Sequence, residues 1–171
     1  YTELIRMHKE EALSFKNVIV FNIYEFYPLT SQSNSNLQLL KESFLDHVDI
    51  DPKNIYSPNG FTPKEEILNY CREYEHTIQH IGGIDYLLLG LGRAGNIGIN
   101  IAGSSMSSQT RLILLDTQSK KEAVNTFGSM DLVPPSAITM GVSTIMKAKE
   151  IALIAWGEDK ANSVKDVVEG Q

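Results

Sequence analysis

The chain has 171 residues, 42% hydrophobic and 21% charged, enough for one globular domain with its own core. Fifteen Lys and Arg against 21 Asp and Glu give a formal net charge of −6, which leaves no electrostatic case for a nucleic-acid partner. The single Cys71 excludes an internal disulfide framework and a cysteine-rich metal site, and no apolar run reaches the ~18 residues of a bilayer span. With no basic-then-apolar leader, the expectation is a cytoplasmic protein without a membrane partner.

Leu4, Ile5, His8 and Ala12 keep helical spacing from the outset. The pattern is already under way at Tyr1, with no initiator Met, as in a piece of a longer chain. Asn17-Val18-Ile19-Val20-Phe21-Asn22 is a short β-branched run, a buried strand. Residues 24–34 turn from aromatic to polar around Pro28 and predict a loop. Leu37, Leu40, Phe44 and Val48 predict a helix, and Asp51-Pro52 and Pro58-Asn59-Gly60 punctuate the connection after it. Thr62-Pro63-Lys64-Glu65 reads as a capping box with proline at the first helical position. Ile67, Cys71, Tyr74, Ile78 and Ile81 continue that helix as one apolar stripe, with Cys71 a buried structural thiol, and Gly82-Gly83 stops it. Further strands are predicted over 84–90, 112–115, 137–140 and 151–157, with helices over 119–127, through 145 and 146, and over 158–168. Apolar strands separated by helices argue one α/β domain over 1–171, with a mainly parallel sheet of about five strands covered on both faces.

Gly90-Leu91-Gly92-Arg93-Ala94-Gly95 matches the dinucleotide fingerprint G-x-G-x-x-G after a strand, and Asp116 lies at the end of the next strand. A dinucleotide site needs a helix to open at the third glycine. Here Asn96-Ile97-Gly98-Ile99-Asn100-Ile101 leads into Gly103 and a run of serines, a poor helix, so no nicotinamide cofactor is expected. What remains is a glycine-rich loop at the carboxyl end of a parallel strand, where open α/β sheets bind ligands. His8, His47, His76 and His80 lie in helical patterns away from the loops and pair with no second ligand at metal spacing, so no metal is expected.

Phe21-Asn22-Ile23-Tyr24-Glu25-Phe26 resembles the F-N-[ML]-D-E-Y motif of glucosamine-6-phosphate deaminases. Gly92-Arg93-Ala94-Gly95-Asn96-Ile97-Gly98-Ile99-Asn100-Ile101 is similar to their G-x-[ND]-G-H-[IL]-A-F-N-E segment. Stretches 44–50, 104–111, 138–142, 157–160 and 168–170 also match in order, so the resemblance spans essentially the whole chain. It implies a Rossmann-like three-layer α/β/α fold, a small-molecule sugar phosphate as ligand, and no cofactor. It also implies a hydrolase-class chemistry: ring opening, aldose–ketose isomerisation and loss of ammonia. The family's first strand and its glycine-threonine phosphate turn would precede Tyr1.

Carried over residue by residue, the family's base falls on Tyr24, its Asp-x-His relay on Ala94 and Asn96, and the supporting Glu on Ile101. A phenol titrates near pH 10, and methyl, amide and sec-butyl groups move no protons near neutrality. Asn22, Gly92, Gly95 and Lys160 match substrate-binding positions, while the companion arginine falls near Asn125, beside Lys120 and Lys121. Ser104 and Arg111 match effector-binding positions, although a lysine that joins them in the family is Ile113 here.

Each of these residues also has a plainer reading. Lys160 can be a solvated lysine, Arg111 a surface ion pair, Tyr24 aromatic packing, and Glu25 a buried or capping contact. Two functions follow. One is a sugar-phosphate-binding domain with degenerate catalysis, a sensor or the partner of a catalytic domain in a longer chain, such as the deacetylase-like domain that some relatives carry. The other is an active isomerase or deaminase with Glu25 as base. Glu25 separates them, according to whether it faces the pocket beneath 92–95 or the helix layer. A homo-oligomer or a companion domain are the protein partners that these readings admit.

Overall fold

A computed structural model describes residues 1–170. Helix α1 (Thr2–Glu10) is held by Arg6, whose guanidinium bonds Glu3, Glu10 and Glu11. It ends before Ala12, which shares the helical spacing but adopts φ 57°. Strand β1 (Val20–Phe21) is shorter than its apolar run. The expected loop after it holds a strand instead, β2 (Tyr24–Tyr27). Its alternate aromatic residues suit a pleated, half-buried surface, and Phe26 is buried in the core.

Helix α2 (Asn36–Ser43) stops short of Val48 because Phe44 leaves helical geometry at φ −150°. Strand β3 (Ile55–Tyr56) follows. The capping box at Thr62 does not form. The Thr62 hydroxyl donates to the Asn59 carbonyl at 2.9 Å, and the chain turns once more before α3 (Ile67–His80) begins. Strand β4 (Tyr86–Gly90) and strand β5 (Arg111–Leu114) lie within their expected ranges or one residue away. Helix α4 (Thr117–Phe127) is capped by Asp116, whose carboxylate accepts the Ser119 amide at 2.7 Å. Strand β6 (Ser136–Thr139), helix α5 (Val142–Met146), strand β7 (Glu150–Ile154) and helix α6 (Ala161–Glu169) complete the described chain.

The strands do not form one parallel sheet. β1 pairs with β3 and β4 with β7, both parallel, while β2, β6 and β5 form an antiparallel sheet with β6 in the centre. Strands buried on both faces suggest parallel pairing. Every residue of β6 is buried, yet its neighbours run antiparallel, because an apolar run records burial and not direction.

Helix α3 unites the layers. Tyr74 and Ile78 pack on Leu87 and Leu89 of β4, and Ile67 and Cys71 pack on Ile138 of β6. Burial pushes the Cys71 thiol up to about 11. The Glu75 carboxylate, also buried, accepts from the Thr110 amide at 2.7 Å and from the hydroxyls of Thr110 at 2.5 Å and Thr144 at 2.6 Å. It clasps α3 to the start of β5 and to α5. On the far side of the antiparallel sheet, Phe26 meets Phe127 of α4 edge to face, ring centroids 5.0 Å apart.

Candidate functional site

The glycine-rich loop leaves the carboxyl end of β4 and forms no helix. It folds on itself, with the Gly92 amide donating to the Asn96 carbonyl at 2.8 Å and the Gly95 amide to the Gly92 carbonyl at 3.1 Å. The Asn96 side chain lies over Gly92, where a Cβ would fall 1.8 Å from its Oδ1. Gly98, at φ 55°, brings the loop onto Ile23 and Thr139, where a Cβ would meet both at 3.0–3.1 Å. The Ile99 amide donates to Thr139 Oγ1 at 3.3 Å.

Asn22 stands at the adjacent end of β1. Its Nδ2 donates to Ser57 Oγ at 3.2 Å, and its carbonyl accepts the Tyr74 hydroxyl at 2.8 Å. Asn22, Gly92 and Gly95 thus sit on neighbouring loops at strand ends. Tyr24 turns its ring onto Phe26, 5.7 Å away at 84°. Burial, then the Glu25 charge, pushes its phenol above the ordinary value, so even less of it is ionised near neutrality than of a free tyrosine.

Glu25 faces the helix layer. It is 1% exposed, and its two oxygens accept the amides of Phe26 (3.0 Å), Asn36 (3.0 Å) and Leu37 (3.2 Å) and the Ser35 hydroxyl (2.6 Å). Ser35, Asn36 and Leu37 open α2, so the carboxylate caps that helix together with Ser35, while the Phe26 amide ties it to its own strand. Tyr24 and Glu25 are successive residues of a strand and point to opposite faces, which is why one position along the chain changes the destination.

Lys160 ends a 3-10 turn after β7 and borders an open groove with Ala155, Gly157, Ala161 and Val164. Among the described residues no ion pair engages Lys160. Ser104 and Arg111 do come together, Nη2 donating to Oγ at a long 3.5 Å, and burial lowers the Arg111 pKa. Ala94 and Ile101 add no titratable group. Among the described residues no cluster of three His, Cys, Asp or Glu could hold a metal, and no helix is long and apolar enough to cross a membrane.

Two features escape a sequence reading. Arg93 Nε meets Asp159 at 2.7 Å, and Ser163 Oγ donates to the Arg93 carbonyl at 3.2 Å, which latches the glycine loop to the start of α6. Opposite charges far apart in sequence gave no local signal. Asn100 is buried, with Nδ2 donating to the carbonyls of Ile97 (3.0 Å) and Met140 (2.8 Å) and Oδ1 without a partner. A buried acceptor of this kind calls for a donor from water or ligand.

A non-helical glycine loop at a strand's carboxyl end, flanked by further strand-end loops, stands where open α/β sheets bind ligands. The family model described as glucosamine-6-phosphate isomerases/6-phosphogluconolactonase matches residues 1–171, and the chain belongs to that family. It is 59% identical over 171 residues to a glucosamine-6-phosphate deaminase-like protein of Bacteroides thetaiotaomicron, covering 99% of this chain and 26% of that protein. It is 40% identical to the glucosamine-6-phosphate deaminase of Oceanobacillus iheyensis, covering 99% of this chain and 68% of that enzyme. The solved structure of a monomeric glucosamine-6-phosphate deaminase superposes with a TM-score of 0.94 at 38% identity, over 100% of this chain and 70% of its own. A 6-phosphogluconolactonase from Trypanosoma brucei shares the fold alone, at a TM-score of 0.73 and 18% identity, over 98% of this chain and 70% of its own.

Proposed function

We propose that this domain binds a sugar phosphate of the glucosamine 6-phosphate class, in the cytoplasm, and has lost the deamination chemistry. The observation that carries the reading is the position of Glu25. It is the carboxylate retained in the F-N-x-D-E-like segment, and it is enclosed by three donors at the N-terminus of α2 and by the Phe26 amide. A general base must reach the proton it removes. Tyr24 is a phenol with a raised pKa, and Ala94, Asn96 and Ile101 supply neither base nor acid.

Binding needs less. Lys160 offers a charge to a phosphate, and the latched loop offers a fixed backbone surface for sugar hydroxyls. The rearranged enzyme with Glu25 as base would require α2 to surrender its cap.

The test uses the full-length protein, with calorimetric titration of glucosamine 6-phosphate beside a coupled ammonia assay. Saturable binding without ammonia above background is the expected result. Ammonia release abolished by Glu25→Gln would establish the rearranged enzyme, and an absence of binding would remove the ligand class.

A further inference from the structure

Helix α3 carries two of the chain's four histidines, His76 and His80, both exposed and one turn apart. Its other side is the buried stripe of Ile67, Cys71, Tyr74 and Ile78. Residues four apart on a helix stand one above the other, with Cβ atoms about 5–6 Å apart. The two imidazoles accordingly lie side by side, ring centroids 6.0 Å apart and planes 12° from parallel.

The histidines differ in what occupies their nitrogens. His8 Nδ1 lies 2.6 Å from the Leu13 carbonyl oxygen, and His47 Nε2 lies 2.9 Å from that of Glu42. Among the described residues those are the two histidines that hydrogen-bond through the ring, and His76 and His80 keep their nitrogens for solvent.

Two such rings chelate if one ion can reach both. A divalent ion bonds an imidazole nitrogen at ~2.0–2.1 Å on the ring axis, which sets it about 3.2 Å from the ring centroid. The centroids are then roughly 5.2 Å apart at a tetrahedral angle and about 6.4 Å apart when the nitrogens stand opposite. The observed 6.0 Å lies between these values, and rotation of two exposed rings adjusts it without moving the backbone.

The surrounding charges do not oppose a cation. Arg72 and Glu73, on the turn before His76, bring one charge of each sign, and the Glu73 carboxylate accepts from Asn69 at 2.7 Å. His80 stands in the last turn of α3, where the negative end of the helix dipole favours positive charge.

We propose that His76 and His80 form a bidentate site for one late divalent transition-metal ion of the zinc, nickel and copper class, with water in its remaining positions. Imidazoles select these ions over Mg²⁺ and Ca²⁺, which take oxygen ligands. The site stands apart from the glycine loop, because α3 ends ahead of the amino end of β4 and the loop leaves its carboxyl end. It is therefore independent of the sugar-phosphate reading. An ion held there clips the last turn of α3 just before Gly82-Gly83, and so favours the folded chain.

Equilibrium dialysis of the full-length protein against Ni²⁺ tests this. One equivalent per chain should weaken at least about tenfold in His76→Gln and in His80→Gln, since either substitution leaves a single protein ligand. Cu²⁺ should bind more tightly than Ni²⁺ or Zn²⁺, and Mg²⁺ should not compete. Cu²⁺ should also broaden the amide resonances of residues 76–81, an effect that His80→Gln should abolish. Glutamine is a good helix former at an exposed position, so circular dichroism should not change in either variant. His47→Gln is the matched control and should leave Ni²⁺ binding as it is. Equal Ni²⁺ uptake by the protein and both α3 variants would overturn the proposal, and so would broadening at 76–81 that persists in His80→Gln.

Discussion

Glu25→Gln separates a capping carboxylate from a catalytic one, because the substitution keeps the shape and removes the charge. In the folded chain Oε1 accepts from the Phe26 and Asn36 amides and Oε2 from the Ser35 hydroxyl and the Leu37 amide. A glutamine keeps one oxygen and turns the other into a donor. The less harmful orientation leaves oxygen on Phe26 and Asn36 and sets the amino group against Ser35, whose hydroxyl can rotate to accept. The Leu37 amide then relies on Ser35 Oγ at 3.1 Å.

Two losses remain. A negative charge at a helix N-terminus contributes about 0.3–1 kcal/mol and up to about 2 when partly buried. One neutral hydrogen bond adds about 0.5–1.5 kcal/mol. Together they predict a destabilisation of about 1–3 kcal/mol, or a fall in Tm of roughly 2–12 °C for a domain of this size. Glu25→Ala is less informative, since it takes the carboxylate acceptor from the Phe26 and Asn36 amides at about 1–3 kcal/mol each, a large share of a whole domain's stability. Urea denaturation followed by circular dichroism reads the first effect. Titration with glucosamine 6-phosphate, well below the midpoint, reads the second. A weaker fold with affinity changed less than about twofold is expected for a cap. Unchanged stability with binding or turnover lost would refute the reasoning.

Other outcomes follow from the same geometry. Lys160→Ala should weaken sugar-phosphate binding by about 1–3 kcal/mol, roughly 5- to 150-fold, with little effect on folding, as titration calorimetry would detect. Burial holds the Cys71 thiol at about 11, whereas an unfolded thiol ionises near 8.5. The unfolded chain therefore releases this proton first, and stability should decline from about pH 8.5 to about 11 and level off above it; denaturation midpoints for Cys71→Ala should show a shallower alkaline slope, the buried tyrosines supplying the rest. Tyr24→Asp should not produce ammonia from glucosamine 6-phosphate, because the acid relay would still be missing, and it should lower Tm by replacing a ring that packs on Phe26 with a carboxylate. Turnover by that variant would show that one restored base suffices.

Composition and periodicity located most of the regular elements but not the way strands pair. The run over 137–140 carries the signature of burial on both faces, and β6 is so buried, but between antiparallel neighbours. Thr62-Pro63-Lys64-Glu65 has the residues of a capping box, yet the chain turns there and α3 begins only at Ile67, so no helical amide follows for the threonine oxygen to cap and its hydroxyl donates back to the Asn59 carbonyl. β2 was masked by the polar tail that follows it. At the strand ends, the glycine spacing over 92–98 reads as a loop and not a helix, and the structure forms one there with Gly95 and Gly98 at positive φ. The Arg93–Asp159 latch depends on two loops meeting in space and could not be read locally.

The residues that the resemblance sets at or beside catalytic positions share a physical character. Tyr24 packs on Phe26, and Asn96 lies over Gly92 and donates to the Gly98 carbonyl at 3.3 Å. Arg93, one residue from the relay position held by Ala94, ties the loop to Asp159. Each of these three side chains has a packing, polar or ionic contact within the protein. A proton relay needs the opposite, groups held near their titration point with a free path to substrate, an arrangement that commonly lowers stability. Replacing such groups with packed and latched side chains favours a rigid loop, and rigidity reduces the ordering cost of binding. Asn100 Oδ1 is the exception, a buried acceptor at the base of the loop with no protein donor. A ligand hydroxyl or a water donating to this oxygen would satisfy it, a contact that the proposed sugar-phosphate binding could supply.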